Sequence, residues 1–459
     1  MVEQLQQLLK ALEAGSYNAA PGTLSQGSAL QKEDLSTVMH NVTWADEHIK
    51  LQKMLDIRQA KGNLIQVNRR LSYGDFGTSA QFEGGVGEET TSDINRIVFP
   101  MAYYSTVKRV TVVADTIATF NGESATDMEA DAGAKILAGD IEFDSFRGQE
   151  EFSNAGVFDG NPLAVAKVPN MVGLGQQIRM SDYMSNAQDL MFNEFGGNQS
   201  VVLSAGGGTL TQSLFEDMSI RSKMGQGNAT AFVTDPIALS AYNKIAHAKE
   251  RIMLAGNAIE QTGAQLRRQQ TSAGLIMMED SRFLSGKTQP ARSREGAPSA
   301  PSVSSAHTGT NGIIEAGSYK YYVTAVSMRG ESAPSSVMTV PVAAGERVEL
   351  TITAVSGAAY YNVYRSLAGG TAASAKFIGR IAQAAGNPVF IDLGNRTPGA
   401  TTAYLLQKDT MALHQLSAYT RLKLPMANLA FPEAHYRFVC LGVHVPRKNV
   451  LAENIKGTF

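Results

Sequence analysis

A single cysteine, Cys440, stands among 459 residues. No disulfide can form within the chain, so the fold is expected to hold without covalent staples, as in a reducing compartment. Charge of one sign is lacking too: Lys plus Arg number 40 against 42 for Asp plus Glu. A dedicated nucleic-acid binder carries a basic excess or stripe, and no such run is present. A near-neutral chain can still enclose nucleic acid, because a container does not have to grip its contents. No stretch of about 18 apolar residues occurs, so no segment reads as a membrane-spanning helix. Met1-Val2-Glu3 opens directly into an amphipathic pattern, without a basic region followed by an apolar core, and no secretory signal is expected.

Signatures of chemistry are sparse as well. Gly286-Lys287-Thr288 ends like a phosphate-binding loop, but the glycine required five positions before Gly286 is replaced by Ser281, and the surroundings read as linker. The histidines are His40, His48, His247, His307, His414, His435 and His444. None lies at metal-ligand spacing beside a carboxylate; Cys440 with His444 is one candidate pair, and a strand is the simpler reading of it. Glu129, Asp131, Asp140, Glu142 and Asp144 would do acid–base work only if buried together, and along one amphipathic helix they read as a solvated face. Gly84-Gly85-Val86-Gly87 has the flexibility to cradle an anion, but Glu83, Glu88 and Glu89 would repel one. Asn41-Val42-Thr43 is a glycosylation acceptor only in a secreted chain. No catalytic, cofactor-binding or metal-binding residue is assigned, no cofactor is expected, and the chain reads as a non-enzyme.

What is present is a sequence of changing textures. The hydrophobic fraction of 43% and charged fraction of 18% suit a folded chain, whose length allows two to four domains. Leu5, Leu8, Leu9 and Leu12 share one helical face, with Gly15 as a stop. A weaker helical pattern runs from Lys32 to Leu55, so residues 1–62 make an arm with little core of its own. Two β-rich runs, Leu64 to Leu71 and Arg96 to Ile117, flank a Gly/Ser/Thr-rich loop with Ser72-Tyr73-Gly74-Asp75-Phe76-Gly77 at its tip. An isolated two-stranded hairpin is marginal in water, so this one is expected to lie on a neighbouring molecule. Asp127 to Phe146 reads as a helix with Met128, Ala132, Ile136 and Ile141 on its buried stripe and Gly148 behind it. Thr209 with Gln212 forms a capping-box pattern ahead of Leu210, Leu214 and Met218, with Gly225 as C-cap. Ala229 to Val233 is a strand, and Asp235-Pro236 starts a helix. After the Gly/Pro/Ser/Arg-rich linker 286–302, only short strands follow: Tyr319–Ser327, Val348–Thr353, Tyr360–Tyr364 and Phe377–Ile381. This spacing suggests a β-sandwich over 297–404 inserted into a domain that resumes behind it.

The order of arm, long hairpin, long helix and mixed body resembles the Hong Kong 97-type fold of tailed-phage major capsid proteins. Gly27 to Leu35 is similar to the start of that family's arm, and residues 63–105 to its extended loop. Tyr104 to Val110 looks like the returning strand, Asp127 to Gly148 like the spine helix, and Leu210 to Pro236 like the peripheral-domain helix and strand. Val445 to Lys456 resembles the C-terminal strand. The insertion resembles a fibronectin type III or immunoglobulin-like module, through Gly317 to Val326, Gly330 to Ser335, Tyr361 to Ser366 and Phe390-Ile391-Asp392. The resemblance implies an α+β chain. Its parts are an arm (1–62), an extended loop (63–105), a peripheral domain (106–236) with spine helix 127–147, an axial domain with its return (237–296 and 405–459), and the inserted sandwich.

The function it implies is self-assembly into hexamers and pentamers of an icosahedral shell around double-stranded DNA. Expected partners are a separate scaffolding protein, a portal and cement proteins, with assembly in the host cytoplasm. No lysine lies between Lys61 and Lys108, where some relatives carry the cross-linking lysine, so a non-covalent shell is expected. Arg69 and Arg70 on the loop strand are candidate partners for Glu142 or Asp144 on a neighbour's spine helix, with solvated charges the equal alternative. A nanocompartment shell, or a secreted enzyme or adhesin with an accessory module, stay open as other readings.

Overall fold

The computed structural model describes residues 45–70, 73–74, 79–87, 89–117, 119–120, 123–152, 168–183, 200–247, 267–272, 274–285, 290, 296–384, 386–426 and 428–457. The expected helix at Leu5–Leu12, the arm start at Gly27–Leu35, most of the hairpin tip and Gly286-Lys287-Thr288 lie outside these residues.

The described chain opens with a short helix α1 (Leu51–Met54) and strand β1 (Asp56–Gln59). β2 (Leu64–Arg70) and β3 (Ile94–Pro100) then pair antiparallel as a two-stranded ribbon. The expected single run Arg96–Ile117 is three elements: β3, then β4 (Ala102–Thr111) in a different sheet, then a helical turn α2 (Val112–Ile117). The break falls where Pro100 has no N–H to continue a ladder, and Met101 N–H instead donates to Asn63 O at 3.0 Å. A minimal hairpin, β5 (Thr119–Phe120) with β6 (Glu123–Ser124), leads into the long helix α3 (Ala125–Phe146).

Ser124 caps α3, its hydroxyl accepting from Asp127 N–H at 3.2 Å and donating to the Asp127 carboxylate at 2.9 Å. The buried face is Ala130, Gly133, Leu137 and Ile141; Ile141 lies on it as expected, but Gly133 and Leu137 take the places expected of Ala132 and Ile136, and Ile136 points outward. Gly133 explains the shift, because it lets the helix press onto the sheet: a Cβ there would lie 2.7 Å from the His435 ring. The helix stops before Gly148, whose φ of +43° and neighbouring Met171 carbonyl leave no room for a side chain.

Next come α4 (Leu174–Tyr183), β7 (Val202–Ser204), α5 (Gln212–Met224), β8 (Ala231–Thr234), α6 (Pro236–His247), β9 (Arg268–Thr271) and β10 (Gly274–Asp280). The cap of α5 is Thr211, not Thr209: its hydroxyl accepts from Leu214 N–H at 3.2 Å. Asp235 precedes Pro236 as expected and accepts from Ile237 N–H at 3.2 Å.

An all-β stretch follows: β11 (Val303–Ile314), β12 (Gly317–Ser327), β13 (Gly330–Glu331), β14 (Met338–Val342), β15 (Glu346–Ile352), β16 (Tyr360–Arg365), β17 (Lys376–Ala382) and β18 (Val389–Asp392). β11, β15 and β18 form one antiparallel sheet; β12, flanked by β13, β14 and β16, with β17 beyond, forms the other. The inward-facing residues, among them Tyr321, Val323, Leu350, Tyr361, Val363 and Ile381, make one buried cluster between the sheets. This two-sheet unit ends at Asp392, not at 404.

β19 (Ala400–Leu406), β20 (Met411–Lys423), β21 (Ala430–Val443) and β22 (Val450–Lys456) return to the body. A four-stranded sheet runs β1-β20-β21-β4, and a six-stranded sheet runs β7-β22-β19-β8-β10-β9. β19 is an inner strand there, buried along most of its length, so it cannot belong to the inserted unit. The expected divide at 236/237 also fails, since β8 pairs with β10 and β19 across it. Residues 405–459 serve both sheets. Tyr404, Leu413, Val439 and Leu451 from the two sheets and Ile141 and Phe146 from α3 meet in one core.

Candidate functional site

The ribbon β2–β3 has two unlike faces. Ile65 opposite Phe99 and Val67 opposite Ile97 face inward. With Met101 and Cys440 they form a small cluster that roots the ribbon on the four-stranded sheet. On the outer face, Arg96 bridges to Asn68 Oδ1 at 2.9 Å and Gln66 Oε1 at 3.1 Å. Among the described residues no third strand pairs with the ribbon. Its far end carries Tyr73 (77% exposed), Phe82 (96%) and Val86 (90%). Large apolar groups held this far from the core, on an element too thin to be stable alone, mark a surface built to be covered. The Gly-rich tip advertises the loop; the sequence offers Val86 only as part of a possible anion cradle and passes over Phe82, although both are large apolar groups among polar neighbours.

Arg69 and Arg70 point to opposite faces of β2. Arg69 lies on the side of Ile65 and Val67, and Arg70 stacks over the Tyr73 ring, 5.2 Å from its centre.

Their expected partners are not available to a neighbour. Glu142 is fully buried. Its Oε1 accepts from Lys50 N–H at 2.9 Å and Leu51 N–H at 2.6 Å, and its Oε2 from Gln52 N–H at 3.1 Å. It thus closes the start of α1, whose first amides have no helical partner of their own. Burial raises its pKa, and the three amides pull against that rise. Asp144 is also buried; Tyr104 hydroxyl donates to its Oδ2 at 2.7 Å and Asn170 Nδ2 at 2.8 Å. Burial pushes its carboxyl up to about 6, against the pull of those donors and of Arg380. The same burial, beside the Asp144 charge, holds the Tyr104 phenol well above its ordinary value. The reading of these carboxylates as a solvated face or as inter-subunit partners is therefore corrected: Glu129, Asp131 and Asp140 lie toward solvent, whereas Glu142 and Asp144 hold the chain together. Tyr104, which the sequence places only at the start of the returning strand, and Asn170 carry no local signal of this role.

The remaining candidates resolve into packing. Burial pushes the Cys440 thiol up to about 12, in the cluster beneath the ribbon. His414, directly opposite Cys440 on the neighbouring strand, lies with its Nε2 3.2 Å from that of His444. Burial, then His414 and Arg58, lower His444 to about 4. Among the described residues no group of three or more His, Cys, Asp or Glu side chains is gathered to hold a metal ion, and no described helix is long and apolar enough to cross a membrane.

No family model matches the chain. The major capsid protein of Staphylococcus phage S25-3 is 22% identical over 471 residues, spanning 98% of this chain and 95% of that protein. The major capsid protein of Staphylococcus phage K matches at the same identity and coverage. Among solved structures, the capsid of a native GTA particle aligns with 95% of this chain and 99% of its own, at 10% identity and a TM-score of 0.48. The SrpI encapsulin of Synechococcus elongatus PCC 7942 aligns with 94% of this chain and 98% of its own, at 8% identity and a TM-score of 0.41.

Proposed function

We propose that this chain is the major capsid protein of a tailed bacteriophage, a structural subunit whose work is done at contacts between copies. The observation that carries the reading is the β2–β3 ribbon, which leaves its own core and ends in exposed Tyr73, Phe82 and Val86. Near full-length similarity to phage major capsid proteins supports it.

In this reading the subunits close into hexamers and pentamers through heterologous contacts, as rotational symmetry requires. The ribbon lies over an adjacent copy, and the arm adds further overlap, toward the roughly 2,000 Å² or more common in obligate interfaces. The icosahedral shell encloses double-stranded DNA without gripping it, consistent with the near balance of 40 basic and 42 acidic residues. A separate scaffolding protein directs assembly, and portal and cement proteins complete the particle, which is held without covalent cross-links. The two-sheet unit over 303–392 is a fibronectin type III or immunoglobulin-like module displayed on the outer surface. Its connections pass from one sheet to the other between β11 and β12, β14 and β15, β15 and β16, and β17 and β18, as in sandwiches of that class.

Size-exclusion chromatography with negative-stain electron microscopy of the purified chain tests this. Rings or closed shells are expected from the wild type, and discrete folded subunits from a Phe82→Ser, Val86→Ser variant, since polar replacements at exposed tips leave stability within about 0.5 kcal/mol. A wild-type chain that stays monomeric at high concentration, even with its scaffolding protein, sinks the reading. Shells that package only protein would point to a nanocompartment instead.

A further inference from the structure

Inserted units joined by two flexible connections ordinarily move against their hosts unless a specific interface holds them. Here Arg380 of β17, inside the two-sheet unit, reaches into the body. Its guanidinium centre lies 5.0 Å from the Tyr360 ring and 5.6 Å from Phe377, both within the unit. It lies 5.2 Å from the Phe143 ring of α3 and 6.0 Å from Phe152, just beyond that helix. Glu151 Oε2 sits 3.1 Å from Arg380 Nε, and the other oxygen of Glu151 accepts from Arg147 Nη1 at 2.9 Å. Phe152 pairs with Arg380 through a single parallel bridge, and its ring meets Tyr360 edge-on at 5.7 Å.

This is an expensive arrangement to leave half-made. A buried guanidinium is tolerable only with its counter-charge and ring faces in place, and removing either partner strands a charge away from water. Burial works against ionised Glu151, but Arg380, Arg147 and Arg396 outweigh it and hold the carboxyl down at about 2. Hence Glu151 stays ionised opposite Arg380 over the whole ordinary pH range.

A second attachment secures the exit from the unit. Arg396 lies 3.4 Å from Glu150 Oε1, while its carbonyl accepts from Arg365 Nη2 at 2.6 Å. Asn454 of β22 accepts from Thr397 N–H at 3.0 Å and donates to Asn395 O at 2.9 Å. The unit is therefore held at the end of α3, and its exit segment is fixed on the six-stranded sheet.

We propose that the two-sheet unit is a fixed brace on the C-terminal end of α3, latched by Arg380, so that a ligand or load on the unit is carried into the body instead of being absorbed by a hinge. The joint stands whether or not the chain forms shells.

Pulsed electron–electron distance measurements on the full-length chain test it. Spin labels are placed at Met328→Cys on the unit and Asp131→Cys on α3, both exposed positions, while Cys440 stays buried. A single narrow distance distribution is expected in the otherwise wild-type chain. Arg380→Met, which keeps an unbranched apolar stem but removes the guanidinium and its charge, should widen the distribution by about twofold or more, as release of a docked unit requires. Should that variant fail to fold, Phe152→Ala is read in the same way. A broad distribution in the otherwise wild-type chain, or an unchanged width in a folded latch variant, overturns the proposal.

Discussion

Replacing Glu142 separates an internal role from an inter-subunit one. Its carboxylate holds three backbone amides, those of Lys50, Leu51 and Gln52, at 2.6 to 3.1 Å. A buried amide left without a partner costs about 1–3 kcal/mol. Leu51 is wholly buried, whereas Lys50 and Gln52 are half-exposed and can reach water. Glu142→Ala should thus destabilise the folded chain by about 2–4 kcal/mol, one full desolvation penalty, two partial ones and a small cavity. Glu142→Gln should cost only about 1 kcal/mol, because its remaining oxygen can keep Lys50 and Leu51 while its amide meets Gln52 donor to donor. Denaturant unfolding of the unassembled subunit gives both numbers, and amide exchange locates the loss at residues 50–55. If Glu142→Ala unfolds within about 0.5 kcal/mol of wild type, and only assembly suffers, the internal assignment is wrong and a neighbour's cation is its true partner.

The helix–sheet seam and the second carboxylate supply two further predictions. Gly133→Ala would gain about 1 kcal/mol of helix propensity on an exposed helix, but its Cβ falls 2.7 Å from the buried His435 ring. Net destabilisation of about 1–3 kcal/mol is expected; a double-mutant cycle in which His435→Ala fails to relieve it would refute the steric account. Asp144 titrates near 6 when folded, above its ordinary 3.8, so the native state binds the proton more tightly than the unfolded chain. Its ionisation therefore costs stability above pH 6, at most about 3 kcal/mol, and the cost fades as pH falls toward 4. Asp144→Asn keeps an oxygen for Tyr104 and Asn170, so it should match or exceed wild-type stability at pH 8 and lose that advantage by pH 4.5; the same gap at both values, by urea unfolding, would refute the cause.

Local chemistry was readable where the physics is local. The run Val348–Thr353 matches β15, where one face is buried against the opposite sheet and burial alternates. Tyr319–Ser327 and Tyr360–Tyr364 match β12 and β16, whose faces are both largely buried, so there strand-forming residue types and flanking turns carry the reading. Asp235-Pro236 starts a helix because both residues act on the turn that contains them. The errors lie where a residue answers to something distant. Glu142 reads as a surface carboxylate on any helical wheel, and only the segment some ninety positions away makes it a cap. The phase of α3 is set by Gly133, whose lack of a side chain scores as polar neutrality in a pattern but acts as shape against His435. Arg96 to Ile117 reads as β-rich throughout; Pro100 inside it is the one local signal of a break, but nothing local reports that the strand after it joins a different sheet. Long-range partnership also explains why the ribbon was legible and its contacts were not. A hairpin with a glycine-rich tip is a property of one segment. The surface that covers Phe82 and Val86 belongs to whatever molecule lies across them, and its residues answer to no periodicity in the ribbon itself.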